Sequence, residues 1–316
     1  MRLALPLFGY ALTMAWLTPA ALTRLTAPGR GPRLGLASWL AAMAGVLAAA
    51  AAGLAFLIRA AVAGWNGLAE VVCRSVAGHA CAQTVYQSAA FELILAVVAV
   101  VAALAAALLA WRYGRSVQRA RRQTRAHGEV ARIVGHALSA GTAGRRTAAV
   151  VIDAAAPVAY CVWGRPATIV LSSAALEVLD PDQLGAVLAH ERAHLAGCHH
   201  LLIALTRGLA AAFPGVPLFG RGLDHVTRLS EMCADDAAAR RSGRPALAGA
   251  LLAMATGAAV PAAALGAMSC AVSARLGRLA EVPRRARDVR YGLALAAVMV
   301  VLALGPGLVA LAATRA

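Results

Sequence analysis

His190-Glu191-Arg192-Ala193-His194 is the stretch on which the reading of this chain turns. Residues four apart lie on one face of a helix. A helix therefore points the imidazoles of His190 and His194 at a common ion and leaves Glu191 beside it, where a carboxylate can take a proton from a bound water. The sequence upstream supplies that helix. Asp180 is placed to cap it, Pro181 suits its first position, and Gln183 holds the reciprocal position of a capping box. Leu184, Val187, Leu188 and Leu195 mark a buried face. The helix is expected to run past Gly197 toward Phe213, with Pro214 as its stop.

Two imidazoles need a third ligand. Downstream lies Arg228-Leu229-Ser230-Glu231-Met232-Cys233-Ala234-Asp235-Asp236, helical in pattern, with Gly243 as a plausible end. Glu231 and Asp235 share a face. Glu231 is the candidate carboxylate that completes a His-His-Glu set around one zinc ion per chain, with a fourth position open to water. Asp235 is the candidate acceptor for the other ring N–H of a ligand histidine. The chain has only 14 acidic residues, so two of them at this spacing carry weight. His199 and His200 stand five and six residues beyond His194, on other faces of an unbroken helix, and read as structural.

The surroundings are membrane-like. Of 316 residues 61% are hydrophobic, against roughly 45–50% in soluble domains, and the mean hydropathy is +0.71. Four stretches reach the roughly 20 apolar residues that a bilayer core needs: about 3–22, 34–58, 91–111 and 291–313. The first is longer than a usual signal core and reads as an uncleaved span. The formal net charge is +16 and there is no lysine. Arginines crowd the 23–33 connection and the 112–290 segment, while the 59–88 loop carries only Arg59 and Arg74. The positive-inside rule then puts 112–290 in the cytoplasm and 59–88 outside. Because the arginines flank apolar spans with no aromatic interleaving, the lipid bilayer is the expected partner and nucleic acid is not. Cys73 and Cys81 share the exported loop, where a disulfide is chemically permitted. Residues 245–274 are uncharged but flanked by arginine on both sides, and read as packed or membrane-resting helices rather than a span.

The expected architecture is thus a mainly α integral membrane protein. Three spans occupy residues 1–111, a cytoplasmic α+β zincin-like domain 112–290, and a fourth span 291–316. Within the domain, Arg112 to Ser139 reads as a basic helix, and Thr147–Ile152, Val158–Val162 and Thr168–Leu171 as short strands.

HERAH followed by the EMCAD stretch resembles the HExxH…ExxAD signature of membrane gluzincin peptidases: the HtpX-type, the CAAX prenyl-protease-type and the BlaR/MecR antirepressor peptidases. Residues 182–189, the hairpin Pro157–Cys161 with Thr168–Leu171, and three spans before the domain with one after it are similar as well, most of all to the BlaR/MecR type. The resemblance implies that His190, His194 and Glu231 bind zinc, that Glu191 is the general base and that Asp235 supports a histidine. It implies a multi-pass membrane protease acting on a protein or peptide substrate such as a transcriptional repressor, and the Ala- and Arg-rich, lysine-free composition suggests a bacterial source. Membrane-protein quality control of the HtpX type and a non-catalytic sensor or scaffold are the rival expectations. The substrate backbone is expected to pair with a strand edge near Ala159 and Tyr160. Tyr160, His199, His200, His225 and Arg228 are the candidates for stabilising an oxyanion, and Arg228 joins Ala159 and Tyr160 as an expected substrate contact. BlaR/MecR sensors continue into an exported penicillin-binding domain. This chain ends at Ala316, so any signal is expected to reach it through the 59–88 loop or a partner.

Overall fold

The computed structural model describes residues 3–76, 82–138, 147–164, 166–257, 272–281 and 285–315. Helices α1 (Ala4–Thr26) and α2 (Pro32–Val76) pack antiparallel, and α3 (Ala82–Val134) and the last helix, α10 (Arg285–Arg315), pack against the same bundle. Among the described residues, four helices are long and apolar enough to cross a membrane, Ala4–Thr26, Pro32–Ala63, Glu92–Val134 and Val289–Val309, and the bent pair Pro181–Ala196 with His199–Ala212 would count as a fifth if taken as one span. Their outward faces stay apolar, as Leu104, Val101 and Leu308 show, which suits lipid rather than water.

Two of these helices exceed any span. The 45 residues of α2 and 53 of α3 correspond to roughly 70 and 80 Å at 1.5 Å per residue, against about 30 Å of hydrocarbon. The third span and the basic helix expected after it are therefore one helix, which ends at Val134. The expected 59–88 loop is helical up to Val76 and again from Ala82. The Cys73–Cys81 pairing lies outside the described side chains.

A small sheet follows: β1 (His136–Ala137), β2 (Thr147–Ile152), β3 (Ala159–Val162) and β4 (Ala167–Ser172), ordered β1-β2-β4-β3. β2 and β4 run parallel, and β3 returns antiparallel on β4 with Tyr160 opposite Val170. β4 is buried from Thr168 to Ser172, as a central strand should be, and β3 forms the outer edge. Ser172 caps the short α4 (Ser173–Val178), accepting from the Ala175 N–H.

Helix α5 (Pro181–Ala196) starts as its sequence dictates, with both arms of the Asp180–Gln183 capping box formed. Val187 and Leu188 are buried against Ile169 and Leu171 of the sheet, with Leu184 and Leu195 packed at the margin of that cluster. The expected continuous run to Phe213 is broken. Cys198 takes a left-handed φ of 50°, and α6 (His199–Ala212) departs at 55° from α5. A proline-glycine turn at 214–215 reverses the chain into α7 (Pro217–Ser242), which ends at Gly243 with φ 86°.

The α6–α7 hairpin wedges into the bundle. Leu218, Phe219, Val226 and Leu229 join Trp39, Met43 and Leu22 in the largest buried cluster. The fit is tight at Gly222, where a Cβ would overlap the Met43 methyl. Trp39 is fully buried, stacks on His225 at 4.7 Å and donates to Thr26 Oγ1 at 3.3 Å. α8 (Arg244–Thr256) packs on α5 and α7; at 13 residues it is too short to span. Residues 258–271, the rest of the uncharged stretch, lie outside the described residues. Residues 272–280 are helical (α9).

Candidate metal centre

α5 and α7 lie side by side, and their contact sets the site. One turn of α5 separates His190 from His194, and the ring Nε2 atoms come to 3.1 Å of each other. From α7, the Glu231 carboxylate reaches both: Oε2 is 3.5 Å from His190 Nε2 and Oε1 is 3.4 Å from His194 Nε2. All three ligand atoms fall within 4.8 Å of one another. Donors at about 2.0–2.2 Å from a tetrahedral ion would stand roughly 3.4 Å apart, so these spacings fit a single cation.

Each imidazole is held from behind. His190 Nδ1 lies 3.1 Å from Oδ1 of Asp235, whose side chain is almost wholly buried. His194 Nδ1 lies 3.1 Å from Nδ1 of His199. The sequence reading missed this second support, because it carried α5 straight on. The turn at Gly197 and Cys198 brings His199 back over the end of α5. Gly197 has no room for a side chain, since a Cβ would strike the His199 ring. Such partners fix which ring nitrogen faces the ion.

Arg275 was also missed. On α9 its Nε and Nη2 donate to Asp235 at 2.9 and 2.5 Å, and Nη1 lies 3.4 Å from Glu231 Oε2. Sequence offered no signal beyond its place in a flanking basic group. Arg278, one turn on, donates to Asp236 Oδ1 at 2.6 Å and to the carbonyl of Gly29 at 3.2 Å, tying α9 to the α1–α2 turn.

The charges follow from this packing. Burial would raise the Asp235 carboxyl, but His190 and Arg275 outweigh it and hold the group at about 2. Burial opposes charge on His190, yet Asp235 and Glu231 lift it to about 9. His194 falls to about 4, driven by burial against the pull of Glu231. Glu231 is held below the usual range: burial opposes this, and His190, His194 and Arg275 prevail. Glu191 shifts the other way. Burial raises its carboxyl, only partly offset by His190 and by the Cys161 thiol. Two glutamates in one site are thus pushed apart, one toward proton exchange and one toward permanent charge.

The centre opens into a cavity of about 710 Å³. Ala159, Tyr160 and Cys161 of the outer strand line one wall, and Leu247, Leu251 and Met254 of α8 another. Of the oxyanion candidates, Tyr160 and His200 line this cavity, and His200 stacks on Trp163 at 5.5 Å. His199 is spent on His194. Arg228, expected to bind substrate, faces elsewhere: it donates to the carbonyls of Thr26 and Ala27 at 2.9 and 3.1 Å, clamping the end of α1. His225 sits beside it on Trp39 and Thr23.

Two imidazoles and one carboxylate, with a buried glutamate beside them, fit the donor set of a catalytic zinc site. Residues 120–214 match the profile of Peptidase family M48, which supports a metalloprotease. The match takes in HERAH and the sheet but stops before Glu231, so the third ligand stands on geometry alone. No curated protein and no solved structure matches the chain.

Proposed function

We propose that the chain is a zinc-dependent membrane endopeptidase of the HExxH type, with His190, His194 and Glu231 as ligands. The observation that carries this reading is the convergence of three donors from two helices beside a buried glutamate and an open cavity. A zinc ion held there would lower the pKa of a bound water to about 7 and polarise a scissile carbonyl. Glu191 takes the proton of the attacking water and delivers it to the leaving amine, for which its raised pKa suits it. Asp235 and His199 keep the two ligand rings in register. The outer edge of β3 offers backbone groups to an extended substrate, and Tyr160 or His200 is placed to stabilise the developing oxyanion.

The active site faces the cytoplasm at the bilayer surface in this reading. The supporting features are the arginine-rich 23–33 connection and the contact between Arg278 and Gly29 at the α1–α2 turn. The substrate is a cytoplasmic or membrane protein, a repressor being the favoured case by resemblance to BlaR/MecR peptidases. Quality control of the HtpX type is the second reading, favoured by the largely apolar cavity walls, which select weakly among side chains. The test is cleavage by purified protein of a co-encoded repressor and of unrelated unfolded membrane proteins. A repressor cut by wild type and spared by Glu191→Ala supports the first reading. Broad cleavage with no preference supports the second. Equal cleavage by wild type and Glu191→Ala ends both.

A further inference from the structure

Behind the metal centre, on the opposite side of α5 from the large cavity, two smaller cavities adjoin. They have volumes of about 340 and 330 Å³ and share Ala193, Ala196 and Ala237 as a common floor. Arg33 and Leu36 of the first turn of α2 line the first; Arg192, Arg240 and Arg241 line the second. No aspartate or glutamate lines either cavity. The neighbouring acids of α7 are engaged elsewhere: Asp235 by Arg275 and Asp236 by Arg278. Four guanidinium groups therefore surround one alanine-floored furrow without a counter-ion among the described residues. Arg192, Arg240 and Arg241 line one and the same cavity. The C-terminus of α7 contributes about half a negative charge near Arg240 and Arg241, far less than four cations supply.

An arrangement of this kind binds an anion, and guanidinium pairs phosphate in a bidentate fork. The location narrows the source. Arg33 and Leu36 open a helix apolar enough to cross a membrane, and on the proposed membrane reading its end would set one mouth of the furrow at headgroup depth. We propose that this furrow seats the phosphate of an anionic lipid headgroup. Arg33 meets it at the bilayer edge, and Arg192, Arg240 and Arg241 draw it along the back of α5.

The test uses the full chain in uncharged detergent, titrated with phosphatidylglycerol, phosphatidylcholine or inorganic phosphate, with thermal midpoint as the readout. It needs no peptidase activity, so its failure and that of the proposed chemistry are distinct. Phosphatidylglycerol is expected to raise the midpoint saturably, and the other two are not. Arg240→Gln with Arg241→Gln, both exposed at the end of α7, should bind phosphatidylglycerol about thirty-fold more weakly, from roughly 1 kcal/mol per surface arginine. Arg33→Gln, at the other end, should weaken it about fivefold on the same scale. Arg122→Gln with Arg125→Gln removes equal charge from α3 and should bind as wild type does. Wild-type affinity in the Arg240/Arg241 variant, or an equal loss in the α3 control, overturns the site. Inorganic phosphate binding as tightly as the lipid overturns the lipid assignment.

Discussion

At the residue scale, Glu191 and Asp235 carry opposite duties, and each makes a prediction. Glu191 borders the cavity beside the three candidate ligands. Glu191→Gln should keep zinc while peptide hydrolysis falls by about 10²–10⁴-fold, the range for a lost general base; zinc analysis beside a fluorogenic peptide assay checks both halves. Asp235 ionises at about 2 when folded, against about 3.9 unfolded. A depressed carboxyl stabilises the fold above its unfolded pKa, and that contribution fades as pH falls from about 4 through 2. The zinc-free protein should lose about 2 kcal/mol over this window from Asp235 alone. In thermal melts at stepped pH, Asp235→Asn should show a shallower acid limb; an unchanged limb would remove Asp235 from the account.

At the element scale, α5 shows what sequence can and cannot reveal. Its start was legible because capping is local: Asp180 and Gln183 sit three residues apart and satisfy one another's backbone. Asp180→Ala should cost about 1 kcal/mol, read as a lowered midpoint. The convergence of His190, His194 and Glu231 was legible because helical periodicity puts His190 above His194, and the spacing of Glu231 and Asp235 repeats the same logic on α7. Its end was not legible. A cysteine in left-handed conformation has no propensity signature, so His199 was assigned to the wrong face. Arg275 stands 40 residues beyond Asp235, and only tertiary packing of α9 brings them together. Arg228 failed as a substrate contact for the same reason, since the α1 carbonyls it binds are 201 and 202 positions away in sequence. Gly197→Ala tests the turn. The added methyl would displace His199, and zinc affinity should fall by about 10–100-fold, the range for losing such a support. Unaltered affinity would make the turn incidental.

At the scale of the whole molecule, the site joins two separately packed bodies. The bundle cluster holds Trp39, Met43 and Leu218, and the sheet cluster holds Ile169, Leu171 and Leu188. α7 belongs to the bundle through Leu229 and to the metal centre through Glu231, two residues on. Zinc should therefore stabilise the seam between them. At a hundredfold excess over its dissociation constant the gain is about 2.7 kcal/mol. Chelation should lower the thermal midpoint while leaving the helical circular dichroism nearly intact, because α1, α2 and α10 pack without the metal. The presence of helices apolar enough to cross a membrane was legible from composition, because such a stretch needs only length and hydropathy. The wedge of α6 and α7 into the bundle was not, because it depends on the fit of Gly222 to Met43.

The most direct test is zinc content after exhaustive dialysis of the purified full chain, for wild type, Glu231→Ala and Asp224→Ala, an exposed acid on the same helix. One zinc per chain is expected in wild type and in Asp224→Ala, with most of it lost from Glu231→Ala. Full zinc retained by Glu231→Ala at wild-type affinity, or none bound by wild type, would contradict the metal centre described above.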